Sequence, residues 1–490
     1  MALINASPTK NFFVDMLTRD IDLKDAILDL LDNCIDGIQR TLRDTDLPER
    51  PYEGFWANIE ISEDSFKIED NCGGIPLEVA ERYAFRMGKP KGISDDDDIF
   101  TIGTYGIGMK RAIFKMGQSA EVYSQTDDDA FKVIIQPDWL VSDDSWDLPV
   151  ETVARADEEN GTSIEIAELR SEAARQLGDE SFAQGLASEI EGLYSYILAK
   201  GFEIVLNGEL IEPRPIVLQW EGLNKLKKRD TEAIAPYLYE AVREDVEINL
   251  AVGLRRKLPT EREVDRASER TRTKRDDAGW TIVCNDRVVV ANDKTILTGW
   301  GESGIPRYHP QFISISGIVE FRSTDARLLP ITTTKRGIDA SSELYLYVKE
   351  RMREGLRLFT AHTNKWKQVT KAKQAEIKPK KKRMQLETPA AMFEQVKELE
   401  EKPTKSSSNQ SAPKIWKSVK SDEFELERRY IPNLPSPPEM NQTKRISFNK
   451  PLEEIQAIGE FLLDDPDCSP SAIGEACFQT ILDQAMDEEY

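Results

Sequence analysis

Residues 20–42 read DIDLKDAILDLLDNCIDGIQRTL. Leu23, Ile27, Leu30, Leu31 and Ile35 recur at three- and four-residue spacing, so they form one apolar stripe and the stretch is predicted to be a helix. The other face carries Asp29, Asp32, Asn33 and Asp36. Asp29 and Asn33 lie one helical turn apart, which projects a carboxylate and an amide oxygen from the same side. Such a pair can polarise water and ligate a cation; a solvated acidic face would read the same way if the helix stood alone.

Working outward, two strand-like runs at 57–62 and 65–69 flank an acidic turn, and the second leads into Asp70-Asn-Cys-Gly-Gly74. Residues 88–108 contain Gly88, Gly92, Gly103, Gly106 and Gly108 beside the aspartates 95–98. That is too flexible for a regular element and too long for an ordinary connector, so it reads as a mobile lid. A helix is expected at 109–116, then alternating strands at 120–125, 131–137 and 161–169 forming a mixed sheet, the last opened by Gly161-Thr162. A helix over 181–198 closes a first domain near residue 200.

These motifs have a common chemistry. Asp70 at a strand end can accept a hydrogen bond from an exocyclic amine such as that of adenine, a charge-assisted contact of roughly 1.5–3 kcal/mol. Thr162 can complete that recognition through its hydroxyl and a water, although Gly-Thr alone is also an ordinary turn into a strand. The glycines before the 109–116 helix free backbone N–H groups to cradle phosphate, with Lys110 adding a charge. Their spacing matches neither the P-loop nor the dinucleotide fingerprint.

In order and spacing, LLDNCIDG, EDNCGGI, IGTYGIGMKRA and GTSIEI resemble the GHKL superfamily of ATPases, related to gyrase, the heat-shock chaperone class, histidine kinases and MutL. The resemblance covers about residues 1–200, and IGTYGIGMK is similar to the prokaryotic MutL/MORC-like branch. It implies an α+β protein with a Bergerat sandwich of helices on a mixed sheet, ATP and Mg²⁺ lying between. It assigns Asp29 as catalytic base and Asn33 as magnesium ligand, with Asp70, Gly74 and Thr162 at the adenine. The phosphate cradle falls on Gly103, Tyr105, Gly106, Ile107, Gly108 and Lys110. Two departures stand out: the base is usually Glu, and Cys72 occupies the place of the first glycine in DxGxG. Hydrolysis is therefore a weaker expectation than binding.

Residues 201–362 carry strand patterns at 246–254, 279–290 and 312–321 and a helix at 341–360, an α+β second domain. Its LPITTTKRGID (329–339) resembles the transducer-domain loop whose lysine reaches the terminal phosphate, which assigns Lys335. Residues 363–445 read as a basic, Ser/Pro-rich, partly disordered linker, and 446–490 as a small helical region. From Lys365 to Arg383 nine cations with Trp366 interleaved face one acid, Glu376. That segment suits either DNA or a solvated linker.

The chain has 490 residues, 65 basic and 88 acidic, for a net charge of −23. DNA could therefore be held only by a local patch. No apolar run is long enough to cross a bilayer, and the N-terminus lacks a secretory pattern, so the cytoplasm is the expected compartment. Five scattered cysteines and two histidines argue against zinc. The histidine-kinase, topoisomerase, MutL-endonuclease and chaperone branches each require parts absent from this sequence. The remaining expectation is an ATPase that homodimerises on ATP, the segment before Asp29 crossing to the partner. It would act as a switch or clamp on DNA, by family analogy in restriction or antiphage defence. The alternative is a weak ATP sensor or chaperone-like remodeller controlling a partner protein at the C-terminal helices.

Overall fold

The computed structural model describes residues 9–42, 50–86, 108–142, 145–156, 159–221, 233–260, 263–265, 277–332, 337–367, 385–401, 416–418, 424–437 and 449–487. The lid, Gly103 to Ile107 and Lys335 lie outside these residues. The chain divides into two compact units, Met1–Ser436 and Pro437–Tyr490.

The first unit begins with a mixed sheet of β1 (Trp56–Ile61), β2 (Phe66–Asp70), β3 (Gly117–Gln125), β4 (Ala130–Ile135), β5 (Val150–Thr152), β6 (Gly161–Leu169), β7 (Glu203–Leu206) and β8 (Glu209–Leu210). Their order is β5-β4-β3-β6-β2-β1-β7-β8, with β1 and β7 parallel. On β1 the buried Ala57, Ile59 and Ile61 alternate with Asn58 and Glu60, the period-two pattern of a sheet with one face against a core. The core on that face is completed by helices α1 (Lys10–Thr18), α2 (Leu23–Thr41), α4 (Gly108–Met116), α5 (Pro137–Val141), α6 (Ser171–Leu177), α7 (Glu180–Leu193) and α8 (Ser195–Ala199), while α3 (Leu77–Val79, continued by a π-helical turn, Ala80–Ala84) packs on Phe131 and Val133 of β4 in a small separate cluster. The apolar stripe of α2 is wholly buried, at roughly 1.5–3 kcal/mol for each Leu or Ile.

The expected helix over 181–198 is broken. It separates into α7 and α8 at Tyr194, whose backbone leaves helical geometry while its buried hydroxyl shares its one proton between Asp32 Oδ1 (2.7 Å) and Leu28 O (3.0 Å). Helix α1 was not anticipated, and it packs on its own domain. The buried Lys10 ammonium donates to Trp139 O at 2.8 Å and lies 4.2 Å from the centre of that indole ring.

The second sheet contains β10 (Tyr237–Arg243), β11 (Val246–Leu254), β12 (Gly279–Cys284), β13 (Arg287–Asp293), β14 (Ile315–Arg322), β16 (Lys417–Ser418) and β17 (Leu426–Tyr430). They run in the order β13-β12-β14-β11-β10-β17-β16, while β9 (Leu218–Gln219) pairs separately with β15 (Leu386–Glu387). Helix α9 (Glu343–Lys367) covers one face with Tyr345, Val348, Met352, Leu356 and Phe359, spaced three and four apart. The other face packs on Met392, Phe393 and Val396 of α10 (Pro389–Glu401) and on Leu193 and Tyr196 of the first sheet's helices.

Residues 363–445 are therefore not simply a linker. Strand β17 pairs with β10, and its charges find partners: Glu427 accepts from Tyr239, Tyr347 and Arg351, Arg428 meets Glu240 at 2.6 Å, and Arg429 meets Glu354 at 2.6 Å. Trp366, interleaved in the basic segment, donates its indole N–H to Pro435 O at 3.1 Å. Residues 368–383 of that segment lie outside the described residues. The second unit contains the helical hairpin α11 (Leu452–Leu463) and α12 (Pro470–Asp487), closed where buried Ile473 meets Gly459.

Candidate functional site

Strand β2 ends where β6 begins, and their antiparallel register sets Asp70 directly opposite Thr162. Two residues far apart in sequence thus meet at one end of two adjacent interior strands. Thr162 is also opposite Ser124 of β3, with the hydroxyls 3.0 Å apart, and Ser124 accepts the Ile75 N–H at 2.7 Å. The glycines of both motifs have steric reasons. Gly74 has φ +70, and a Cβ there would overlap the Gln125 carbonyl oxygen; one at Gly161 would overlap that of Asp70.

Asp70 keeps some exposed surface, but burial of its carboxyl lifts the pKa from 3.8 to about 6, against the opposing effect of the Cys72 N–H. That amide donates to Oδ1 at 2.8 Å, and the Cys34 thiol of α2 donates to Oδ2 at 3.4 Å. The Cys72 departure is accommodated because only Gly73 and Gly74 of this loop have positive φ. Its side chain points inward and is buried. Sequence reasoning did not identify Ser124 or Cys34, whose short side chains carry no motif of their own.

Helix α2 presents the second half of the site. Asn33 is exposed and Asp29 partly so, while Asp32 between them is buried. Magnesium takes oxygen ligands and retains waters, so the single exposed amide oxygen of Asn33 fits it. Gly108, the first residue of α4, lies against Asp29: a Cβ there would sit 3.6 Å from the Asp29 Cβ. One turn later Arg111 donates to Asp29 Oδ2 at 2.7 Å. Lys110 points elsewhere. It is buried, donates to Ala84 O at 2.7 Å, and burial lowers its pKa to about 8. The cation that α4 offers to the carboxylate of α2 is thus Arg111, next to the residue selected from sequence.

Asp32 faces the second sheet. Arg287, the first residue of β13, reaches it through Nε (2.7 Å) and a terminal nitrogen (3.3 Å), with the guanidinium 4.4 Å from the centre of the Tyr194 ring. The preceding residue, Asp286, accepts from Tyr52 (3.0 Å) and Lys200 (2.6 Å). Of the loop expected to carry Lys335, both ends are visible: Ile331 bridges Ile338, and Thr332 N–H donates to Gly337 O at 3.0 Å.

Residues 21–172 match the family model described as histidine kinase-, DNA gyrase B-, and HSP90-like ATPase. This match places the segment in the GHKL superfamily. Members are generally ATPases, and ATP binding is what the match implies for this domain. No curated protein matches the chain.

Proposed function

We propose that the GHKL domain binds ATP between α2 and the Asp70–Thr162 end of the β2–β6 pair and hydrolyses it with magnesium. The observation that supports this reading is the Asp70–Thr162 register, which α2 meets through the Cys34 thiol, next in sequence to the exposed Asn33. Asp70 accepts the adenine amine, and Thr162, braced by Ser124, holds a water beside it. Asn33 would hold the ion, whose chemistry there would be to neutralise phosphate charge. Asp29 accepts the proton of the attacking water, and Gly103, Tyr105, Gly106, Ile107 and Gly108 wrap the phosphates. Lys335 of the transducer-like second domain supplies a cation to the terminal phosphate.

On the family resemblance, the protein belongs to the MutL/MORC-like branch. It dimerises on ATP and acts as a clamp or switch on DNA in restriction or antiphage defence, with Lys365–Arg383 as the DNA contact. Calorimetric titration with ADP, with phosphate release compared between wild type and Asp29→Asn, tests the core of this reading. Heat on titration and loss of turnover in the variant are expected; no heat would overturn it. The alternative, a weak ATP sensor controlling a partner protein, is favoured by one observation: Asp29 is a short base already engaged by Arg111.

A further inference from the structure

Helix α4 places a guanidinium on the residue read as the general base. Arg111 and Asp29 meet at 2.7 Å, with side-chain exposures of 28% and 18%, so the pair borders solvent and a dissolved anion can reach it. Partly exposed ion pairs contribute little net stability, so this one is inexpensive to exchange. The guanidinium also has unused capacity: its Nε is buried and, among the described residues, has no hydrogen-bond partner. A guanidinium has five N–H donors in a fork matched to carboxylate and phosphate alike. Beside the pair, the first turn of α4 carries backbone N–H groups without intrahelical acceptors, and these attract the same anions.

From this geometry we propose that Arg111 is a substrate-exchanged catalytic residue: it holds Asp29 until a triphosphate arrives, then transfers to the terminal phosphate. The proposal rests on the nucleotide reading above and adds its regulation. A carboxylate in an ion pair is a poor proton acceptor, so Asp29 is restrained while the site lacks the terminal phosphate. When the phosphate oxygens take the guanidinium, Asp29 is released from this pair and a cation stands on the group to be transferred. Water then forms its oxygen–phosphorus bond and gives its proton to Asp29. The bond from phosphorus to the bridging oxygen breaks, its electron pair leaving on ADP. Neither ADP nor AMP supplies the anion that draws Arg111 away, so the exchange discriminates ATP from its products.

Three variants separate this role from a structural ion pair. Arg111→Met should lower kcat by about 100-fold, the usual cost of removing one donor to developing charge, with ADP affinity near wild type. It should also abolish the preference for a nonhydrolysable ATP analogue over ADP. Asp29→Asn should abolish hydrolysis yet raise that preference roughly tenfold, the scale of one charge-assisted contact, because Arg111 no longer has a competitor. Arg111→Lys should restore part of both properties. A structural pair would shift the preference in the same direction in both variants, or not at all, and either result overturns the exchange. Turnover at the wild-type rate in Arg111→Met would do the same. Absence of nucleotide binding by the wild-type protein overturns the nucleotide reading itself, a separable outcome. Thermal melting of each variant checks that folding is intact.

Discussion

Asp70 shows how a single side chain sets a measurable pH dependence. Burial raises its folded pKa to about 6 from 3.8, so the folded protein binds the proton more readily than the unfolded chain between those values. Its ionisation therefore costs stability as pH rises through 6, and the relief is complete only below 3.8. Binding runs the other way, since the ionised carboxylate is the better acceptor for an amine. ADP affinity should rise as pH increases from 5 through 7, and Asp70→Asn should flatten that part of the profile and weaken binding by roughly tenfold or more. Calorimetry across this range, with the variant as control for titration of the phosphates, checks both effects. The Asp70 and Thr162 pairing was legible because strand ends and glycines mark it in sequence. Arg111 was not, since adjacent Lys and Arg on a short helix look interchangeable until the fold decides which one turns toward α2.

At the scale of elements, the junction between α2 and the turn into β13 carries the most consequence. Asp32 and Arg287 are buried, and the Tyr194 hydroxyl lies 2.7 Å from the same carboxylate. Removing one member of a buried pair leaves an uncompensated charge, which costs about 3–5 kcal/mol. Arg287→Met should therefore lower the melting temperature sharply, whereas Asp32→Leu combined with Arg287→Met should recover much of it. Differential scanning calorimetry of the two proteins distinguishes these outcomes. This link could not be read from the sequence. Asp32 lies on the polar face of an amphipathic pattern, which predicts solvent unless a second sheet covers it.

The whole molecule shows where the pattern of charge misled. LERRY at 426–430 looks too polar for a sheet interior, yet every charged side chain in it pairs with β10 or α9. Truncation after residue 362 removes β17 and α10 and bares Leu238, Met392's former neighbour, together with Tyr239. That truncated protein should aggregate or melt well below the full chain. Truncation after Ser436, at the boundary of the first unit, should leave its melting transition within a few degrees of the parent. Thermal melts of both products check this prediction. The strong periodicities, in α2, β11, β14 and α9, were readable because they are long and regular, whereas β15, β16 and the break at Tyr194 depend on partners distant in the chain.

The turn linking β12 to β13 also bears on heredity. Because Asp286 and Arg287 reach Tyr52, Lys200, Asp32 and Tyr194, four positions in one half must be inherited together with two in the other. A chimaera that takes its first 200 residues from a distant cousin would strand these charges at the seam. Recombination should therefore succeed only between lineages that share all six.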